Sequence, residues 1–380
     1  MLNRRSFLAG TGLTGVLAAC GQMGRTPSAV TELGSSIDAT DPMQRGVVLA
    51  VKARQLGLPG AVLAVQEASA PMRIEAVGLA DVLTNAPVLT NSWMRLGSVS
   101  KLFVGHIVLK LADEGSLGLD DPVSAYRDDV PAGEDIALRM LGNHTSGLYN
   151  PIYSPEFRNR INATPSRKIS REEMFQVAWE NTETPPKIGN FKYSNANTAL
   201  LADIAERASG VSIEALLERY VIATTGKTGL RFAEDHILPN PSARGYRYGP
   251  DGGGVEYGNF FFDATEFSAS WADAAGDTYG QAETVLASGL HVLKGSGLSD
   301  KMISEQRDFI RVEPGFGYAF CIANYGGVIG HAGDVPGFSS FVGWCPAQDI
   351  GIAVLTNLSN FVSGSSPASD IGKAMLSCPV

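Results

Sequence analysis

Ser98 and Lys101 stand three residues apart at the head of an apolar run, inside the string W-M-R-L-G-S-V-S-K-L-F-V-G-H-I-V-L-K that covers residues 93–110. A helix beginning near Ser98 places the two side chains one turn apart on a single face. A serine hydroxyl is a weak nucleophile until a neighbouring base takes its proton. A lysine can be that base where burial and the positive end of a helix disfavour its charged form. The backbone N–H of Ser98, in the first turn, has no partner inside the helix and can bind an oxyanion. The same residues also read as an ordinary helix cap, with Ser98 at the N-cap and Lys101 in solvent. S-x-x-K is a short motif that composition alone yields about once in a chain of this size, and it occurs once here.

A second pair follows at Tyr193 and Asn195, in F-K-Y-S-N, just before an amphipathic run (Ala199, Leu200, Ile204, Ala205) that closes at Gly210. Tyr193 can relay a proton if a nearby ammonium favours its phenolate, and Asn195 can hydrogen-bond an ester or amide carbonyl. A rival Y-x-N at Tyr257 and Asn259 lies in a glycine- and aromatic-rich stretch, residues 249–262, with no helix behind it, and reads as a loop. His144 and Ser146, in N-H-T-S-G-L, invite a catalytic reading. No G-x-S-x-G surrounds any serine, so His144 is read first as a residue holding its loop together.

The five histidines are scattered and no C-x-x-C occurs, so neither a metal nor a cofactor is expected. The formal charge of −9 argues against nucleic acid as a partner. Residues 1–19 read as an export signal, with Arg4-Arg5 before a modest apolar run too short to span a membrane. That run ends in Leu17-Ala18-Ala19-Cys20, which resembles a lipoprotein box lipidated at Cys20; an ordinary cleaved secretory signal is the alternative. Removing residues 1–19 takes out Arg4 and Arg5 and no acid, which moves the charge from −9 to −11. The expected location is periplasmic or cell-surface, with membrane contact only through the anchor. If Cys20 is lipidated, Cys321, Cys345 and Cys378 allow one disulfide and leave one thiol.

The elements that must position these residues are legible in outline. Residues 20–42 are small and polar and read as a tether. Residues 43–57 carry a helical pattern, residues 61–65 a buried strand and residues 72–77 its partner. Short helices are expected near residues 136–141, 212–222 and 367–377, and Ser170 with Glu173 forms a capping box for another. Residues 318–323, 327–332, 340–344 and 350–356 read as four strands of an antiparallel meander. Strands at both chain ends and helices between them predict an α+β fold. Residues 43–115 and 295–380 would build one sheet domain flanked by helices, residues 116–294 a mostly helical insert, and the catalytic cleft would lie between them.

Together these features resemble the serine penicillin-binding proteins and β-lactamases, in the branch with class C β-lactamases, D-alanyl-D-alanine carboxypeptidases, D-aminopeptidases and related esterases. Ser98 to Lys101 resembles S-x-x-K, Tyr193 to Asn195 resembles Y-x-N, and His331-Ala332-Gly333 resembles the H-x-G form of the third motif. The connectors L-x-x-x-G-x-L-x-L-D-D-P and H-T-S-G-L are similar too, and the likeness spans roughly residues 43–377. It implies a β-lactamase/transpeptidase-like fold with Ser98 as the acylated nucleophile. Lys101 and Tyr193 would share the acid and base work, in a division left open. Asn195, His331 and Gly333 would bind or orient substrate, His331 sitting opposite Tyr193, and the backbone N–H groups of Ser98 and Asp334 would form the oxyanion hole. Lys227-Thr228-Gly229 spells the commoner third motif but follows a helix in mid-chain, so it is read as a decoy.

Two departures bear on the substrate. Ala332 lacks the hydroxyl common at its position, and Asp334 brings an acid close to where a substrate carboxylate would sit. The expectation is therefore an exported hydrolase of small esters, amides or peptides, with a substrate amine able to pair with Asp334. A β-lactamase or D-alanyl-D-alanine carboxypeptidase and a non-hydrolytic penicillin-binding sensor are the alternatives. Oligomeric state is not legible.

Overall fold

The computed structural model describes residues 40–248, 256–257, 261–360 and 364–379. The expected export signal, the lipidation site Cys20 and nearly all of the tether fall outside the described residues, as does Asn259 of the rival Y-x-N.

The main sheet has nine antiparallel strands, and its two halves come from opposite chain ends. In chain order they are β1 (Gly60–Glu67), β2 (Arg73–Asp81), β3 (Ala86–Pro87), β4 (Ile310–Glu313), β5 (Phe316–Tyr318), β6 (Ala323–Tyr325), β7 (Val328–Val335), β8 (Phe338–Cys345) and β9 (Ile350–Thr356). In space they run 4-5-6-7-8-9-1-2-3. The C-terminal meander is thus closed onto the N-terminal hairpin by β9 against β1, with Leu63 opposite Val354. Both β1 and β9 are buried on both faces, which is why each reads as a continuous apolar run rather than an alternation.

Helices cover both faces. Helix α1 (Pro42–Gln55) is capped by Asp41, whose carboxylate accepts from the Met43 amide at 2.9 Å. It packs with a C-terminal helix (Pro367–Met375) over one face, around Leu49, Leu63, Phe341 and Ile371. The other face meets α2 (Ser100–Asp113), which is buried almost all round, in one core with α3 (Asn195–Ser209) and α4 (Ala282–Leu293). Sequence placed α4 in the inserted region, yet it lies on the sheet. A Cβ at Gly289 would come within 2.5 Å of Val342 on β8, and one at Gly351 on β9 would meet Leu290 at 2.5 Å.

Two expectations shift in detail. The strand expected over residues 318–323 is instead a reversal between β5 and β6. Its tetrapeptide A-F-C-I is apolar and buried, hence strand-like in composition. Its backbone bonds close the turn instead: Ala319 N–H donates to Ile322 O at 2.8 Å and Cys321 N–H to Gly142 O at 2.9 Å. The helix expected from Ser98 begins as a 3-10 turn, Gly97–Val99, and becomes α-helical at Ser100.

Cys345, at the end of β8, is bonded to Cys378, and Cys321 remains as a buried thiol. The bridge closes a separation of 33 residues, so chain-entropy arithmetic gives it about 3–4 kcal/mol of stability. Cys378→Ser should therefore lower the thermal midpoint by several degrees in non-reducing buffer and leave it unchanged under dithiothreitol relative to reduced wild type.

Candidate active site

The turn carrying Ser98 is pinned before the helix begins. Leu96 N–H donates to Thr278 O (2.9 Å), and Leu96 O accepts from Ser340 Oγ on β8 (2.5 Å). Ser100 Oγ donates to Gly97 O (2.7 Å) and lies 2.6 Å from Thr278 Oγ1, so the second serine of S-V-S is structural. Gly97 has φ +52°, and a Cβ there would sit 2.7 Å from the Asp334 nitrogen. Only glycine lets the nucleophile's turn lie this close to the backbone of β7.

That approach builds an oxyanion site. Strand β6 pairs with β7 only through Gly330, leaving residues 331–335 as an open edge. Ala332 N–H points to this side, where it donates to Tyr325 Oη at 3.2 Å. By the two-residue period of a strand, the Asp334 N–H points the same way, toward Gly97 and Ser98. Gly333 is equally constrained: a Cβ would fall 1.9 Å from Leu96 O and 2.9 Å from Ser98 N.

Lys101 is fully buried directly below the nucleophile. Its ammonium has three acceptors in hand: Ser98 Oγ at 3.0 Å, Asn195 Oδ1 at 2.9 Å and Ala275 O at 2.7 Å. Its Nζ also lies 4.9 Å from the centre of the Tyr193 ring. Asn195 is the first residue of α3, and Tyr193 precedes it on the approach, as their spacing predicts. With Oδ1 engaged by Lys101, Asn195 has its Nδ2–H groups to offer a carbonyl. The Ala275 carbonyl had no signature in the sequence, because any residue supplies one. It is presented by a strained turn: Asp273 stands at φ +46°, ψ −150°, and its carboxylate holds Arg171 Nε at 2.7 Å.

His331 reaches the site and lies opposite Tyr193. Its Nε2 lies 3.0 Å from Tyr318 Oη and its Nδ1 2.5 Å from Ala332 O, so both nitrogens are engaged within the protein. Its ring centre is 6.3 Å from that of Tyr193. Burial first, then the charge of Lys101, push its pKa down to about 3, so it is a neutral imidazole at pH 7. His144, read as a loop-holding residue, does hold its loop and also packs on the Tyr193 ring at 4.4 Å. The same two causes, burial first, hold it well below the ordinary histidine range. Tyr318, between the two imidazoles, was read only as the first residue of a strand.

The Asp334 side chain lies near Ser366, Asp370 and Lys373, and burial pushes its carboxyl up to about 7. The negative charge that sequence assigned to it is therefore only partial at neutral pH. Lys227, in contrast, bonds Glu283 at 2.5 Å on a half-exposed surface, as expected of a decoy. Among the described residues no group of His, Cys, Asp and Glu could hold a metal ion.

Compared with protein-family models, the chain matches the family described as Beta-lactamase over residues 41–370. It is 30% identical over 179 residues to "Penicillin-binding protein 4*" of Bacillus subtilis (strain 168), covering 45% of this chain and 38% of that one. It is 28% identical over 167 residues to a "Beta-lactamase" of Yersinia enterocolitica, covering 43% and 40%. These alignments span about two fifths of the length of the curated relatives. Among solved structures, D-amino acid amidase from Ochrobactrum anthropi SV3 superposes with a TM-score of 0.77 over 88% of this chain and 96% of that one, at 21% identity. At that identity the likeness is one of fold.

Two outcomes test this geometry. Gly333→Ala should force β7 and the Ser98 turn apart and cut the rate of Ser98 acylation by about a hundredfold or more, read by stopped-flow with an activated ester. Asp334 has a folded pKa above its unfolded one, so its contribution favours the native state at low pH and is lost as pH rises from about 4 to 7. Asp334→Asn mimics the protonated form. Its stability relative to wild type should rise across that window in urea titrations at successive pH values.

Proposed function

The chain belongs to the beta-lactamase family, and on that premise we propose that it is a serine hydrolase cleaving small esters or amides through an acyl-Ser98 intermediate. One observation carries this reading: the buried Lys101 Nζ lies 3.0 Å from Ser98 Oγ while Asn195 and Ala275 take its remaining hydrogen bonds. Once it gives up a proton, the amine donates its two hydrogens to those two oxygens and turns its lone pair to the Ser98 hydroxyl. That is the arrangement of a general base.

The reaction then runs in two halves. Ser98 Oγ attacks the carbonyl carbon while its proton passes to Lys101 Nζ. The tetrahedral oxyanion is met by the N–H groups of Ser98 and Asp334, and Asn195 Nδ2–H steadies the acyl side. Tyr193, against the Lys101 ammonium, relays the proton to the departing alcohol or amine. Water enters, loses its proton by the reverse route and releases the acid. His331 and Gly333 shape the site from β7, the histidine through its neighbours and the glycine through the close approach it permits.

Ester or small-amide substrates fit better than β-lactams or peptides ending in a free carboxylate. Ala332 offers no hydroxyl to a carboxylate, and His331 brings no positive charge. The amidase name of the structural neighbour points the same way. We propose also that the protein is exported by its twin-arginine segment and anchored at Cys20. The Cys345–Cys378 bridge supports this, since such bonds persist in oxidising compartments.

Intact-protein mass spectrometry tests the reading. A short-chain activated ester should give a transient acyl adduct on Ser98 and steady product, whereas a β-lactam should leave little adduct. Ser98→Ala should lose adduct and turnover with an unchanged thermal midpoint. Turnover retained by that variant would remove Ser98 as nucleophile. A stable β-lactam adduct without ester turnover would make the protein a penicillin-binding sensor instead.

A further inference from the structure

Five buried side chains run in one line beneath the Tyr193 ring. Ser146 Oγ lies 2.7 Å from Asn197 Oδ1, and Asn197 Nδ2 lies 2.9 Å from His144 Nδ1. His144 Nε2 lies 3.2 Å from Tyr318 Oη, and Tyr318 Oη lies 3.0 Å from His331 Nε2. His331 Nδ1 ends the line at the Ala332 carbonyl, 2.5 Å away.

The polarity of this line is fixed independently at both ends. The Ala332 carbonyl can only accept, so His331 carries its proton on Nδ1 and accepts at Nε2. At the other end the Ser194 amide, which can only donate, meets His144 Nδ1 at 3.4 Å. That nitrogen accepts, so the His144 proton is on Nε2. Tyr318 must then accept from His144 and donate to His331, and the two ends agree. The groups facing His331 are Lys101 from α2, Tyr193 from the approach to α3, Tyr318 from β5 and His144. Those facing His144 are Phe191, Tyr193, Tyr318, Lys101 and His331. The one cation among them opposes a second positive charge on either ring.

The line has a mechanical consequence. His144 grips the chain on both sides of Tyr193: its carbonyl accepts from Lys192 N–H at 2.8 Å and its ring from Ser194 N–H. The far end is seated on β7, whose Gly333 and Asp334 backbone flank Ser98. We infer that Tyr318 is a positioning residue: its hydroxyl accepts from His144 and donates to His331, tying the wall behind Tyr193 to β7 and so keeping Tyr193 in register with Ser98. This rests on the acyl-serine reading for its effect on rate, but the tautomers themselves do not.

The test has two arms. In the full chain carrying 15N-histidine, long-range proton–nitrogen NMR should show His331 as the Nδ1–H tautomer and His144 as the Nε2–H tautomer. Neither should titrate between about pH 5.5 and 8. Reversed tautomers, or an imidazolium at either position at pH 7, would overturn the inference without any variant being made. In the second arm Tyr318→Phe is assayed with an activated ester. The hydroxyl's loss should lower kcat about tenfold or more while KM moves less than about threefold. An unchanged kcat in a folded variant would remove Tyr318 from the positioning role. If wild type itself forms no adduct at Ser98, it is the hydrolase reading that fails, and the NMR arm alone decides on Tyr318.

Discussion

An ammonium removed from water is the constraint that organises this molecule. Taking a charge out of solvent costs several kcal/mol unless its hydrogens find acceptors, and Lys101 is fully buried. Its acceptors come from the Ser98 turn, from the head of α3 and from the strained turn at Ala275. These lie far apart in sequence, so the site comes into being only when both parts of the chain have assembled. The same charge then reaches outward. It disfavours protonation of His144 and His331, which leaves one cation at the nucleophile and neutral imidazoles behind Tyr193.

Close approach of two backbones is the complementary requirement. Gly97 and Gly333 let the nucleophile's turn lie against the open edge of β7, where side chains would separate them by more than an oxyanion can bridge. The sheet makes this edge available because β6 stops short, leaving residues 331–335 unpaired on one side. The fold thus delivers two functions with one strand: an N–H beside the nucleophile and, on the face below, an imidazole that anchors the wall behind Tyr193.

Much of this was legible in the residues, and what was missed has a physical reason. S-x-x-K and Y-x-N are local, since the partners within each lie on one turn or one loop, and spacing alone brings them together. The sheet shared by both chain ends followed from apolar runs at 61–65 and 350–356, which the structure pairs with each other. The Ala275 carbonyl left no trace because a backbone oxygen has no side-chain identity. Tyr318 was hidden because its importance comes from two partners, His144 and His331, that only the fold brings to it. The reversal at residues 319–322 was hidden by burial, since an apolar turn has the composition of a strand. Sequence placed His331 opposite Tyr193 to orient it or the substrate; the structure sets the two rings 6.3 Å apart and adds Tyr318 and His144 as further links between them.

The most direct measurement is the pre-steady-state rate at which Lys101→Met is acylated on Ser98 by an activated ester, alongside its thermal midpoint. Methionine keeps most of the volume and removes the charge and the lone pair. If Lys101 is the base, acylation should fall by about a thousandfold or more while the protein remains folded. A folded variant acylated at close to the wild-type rate would show that Ser98 is activated by another group, and would contradict the role assigned to the buried lysine.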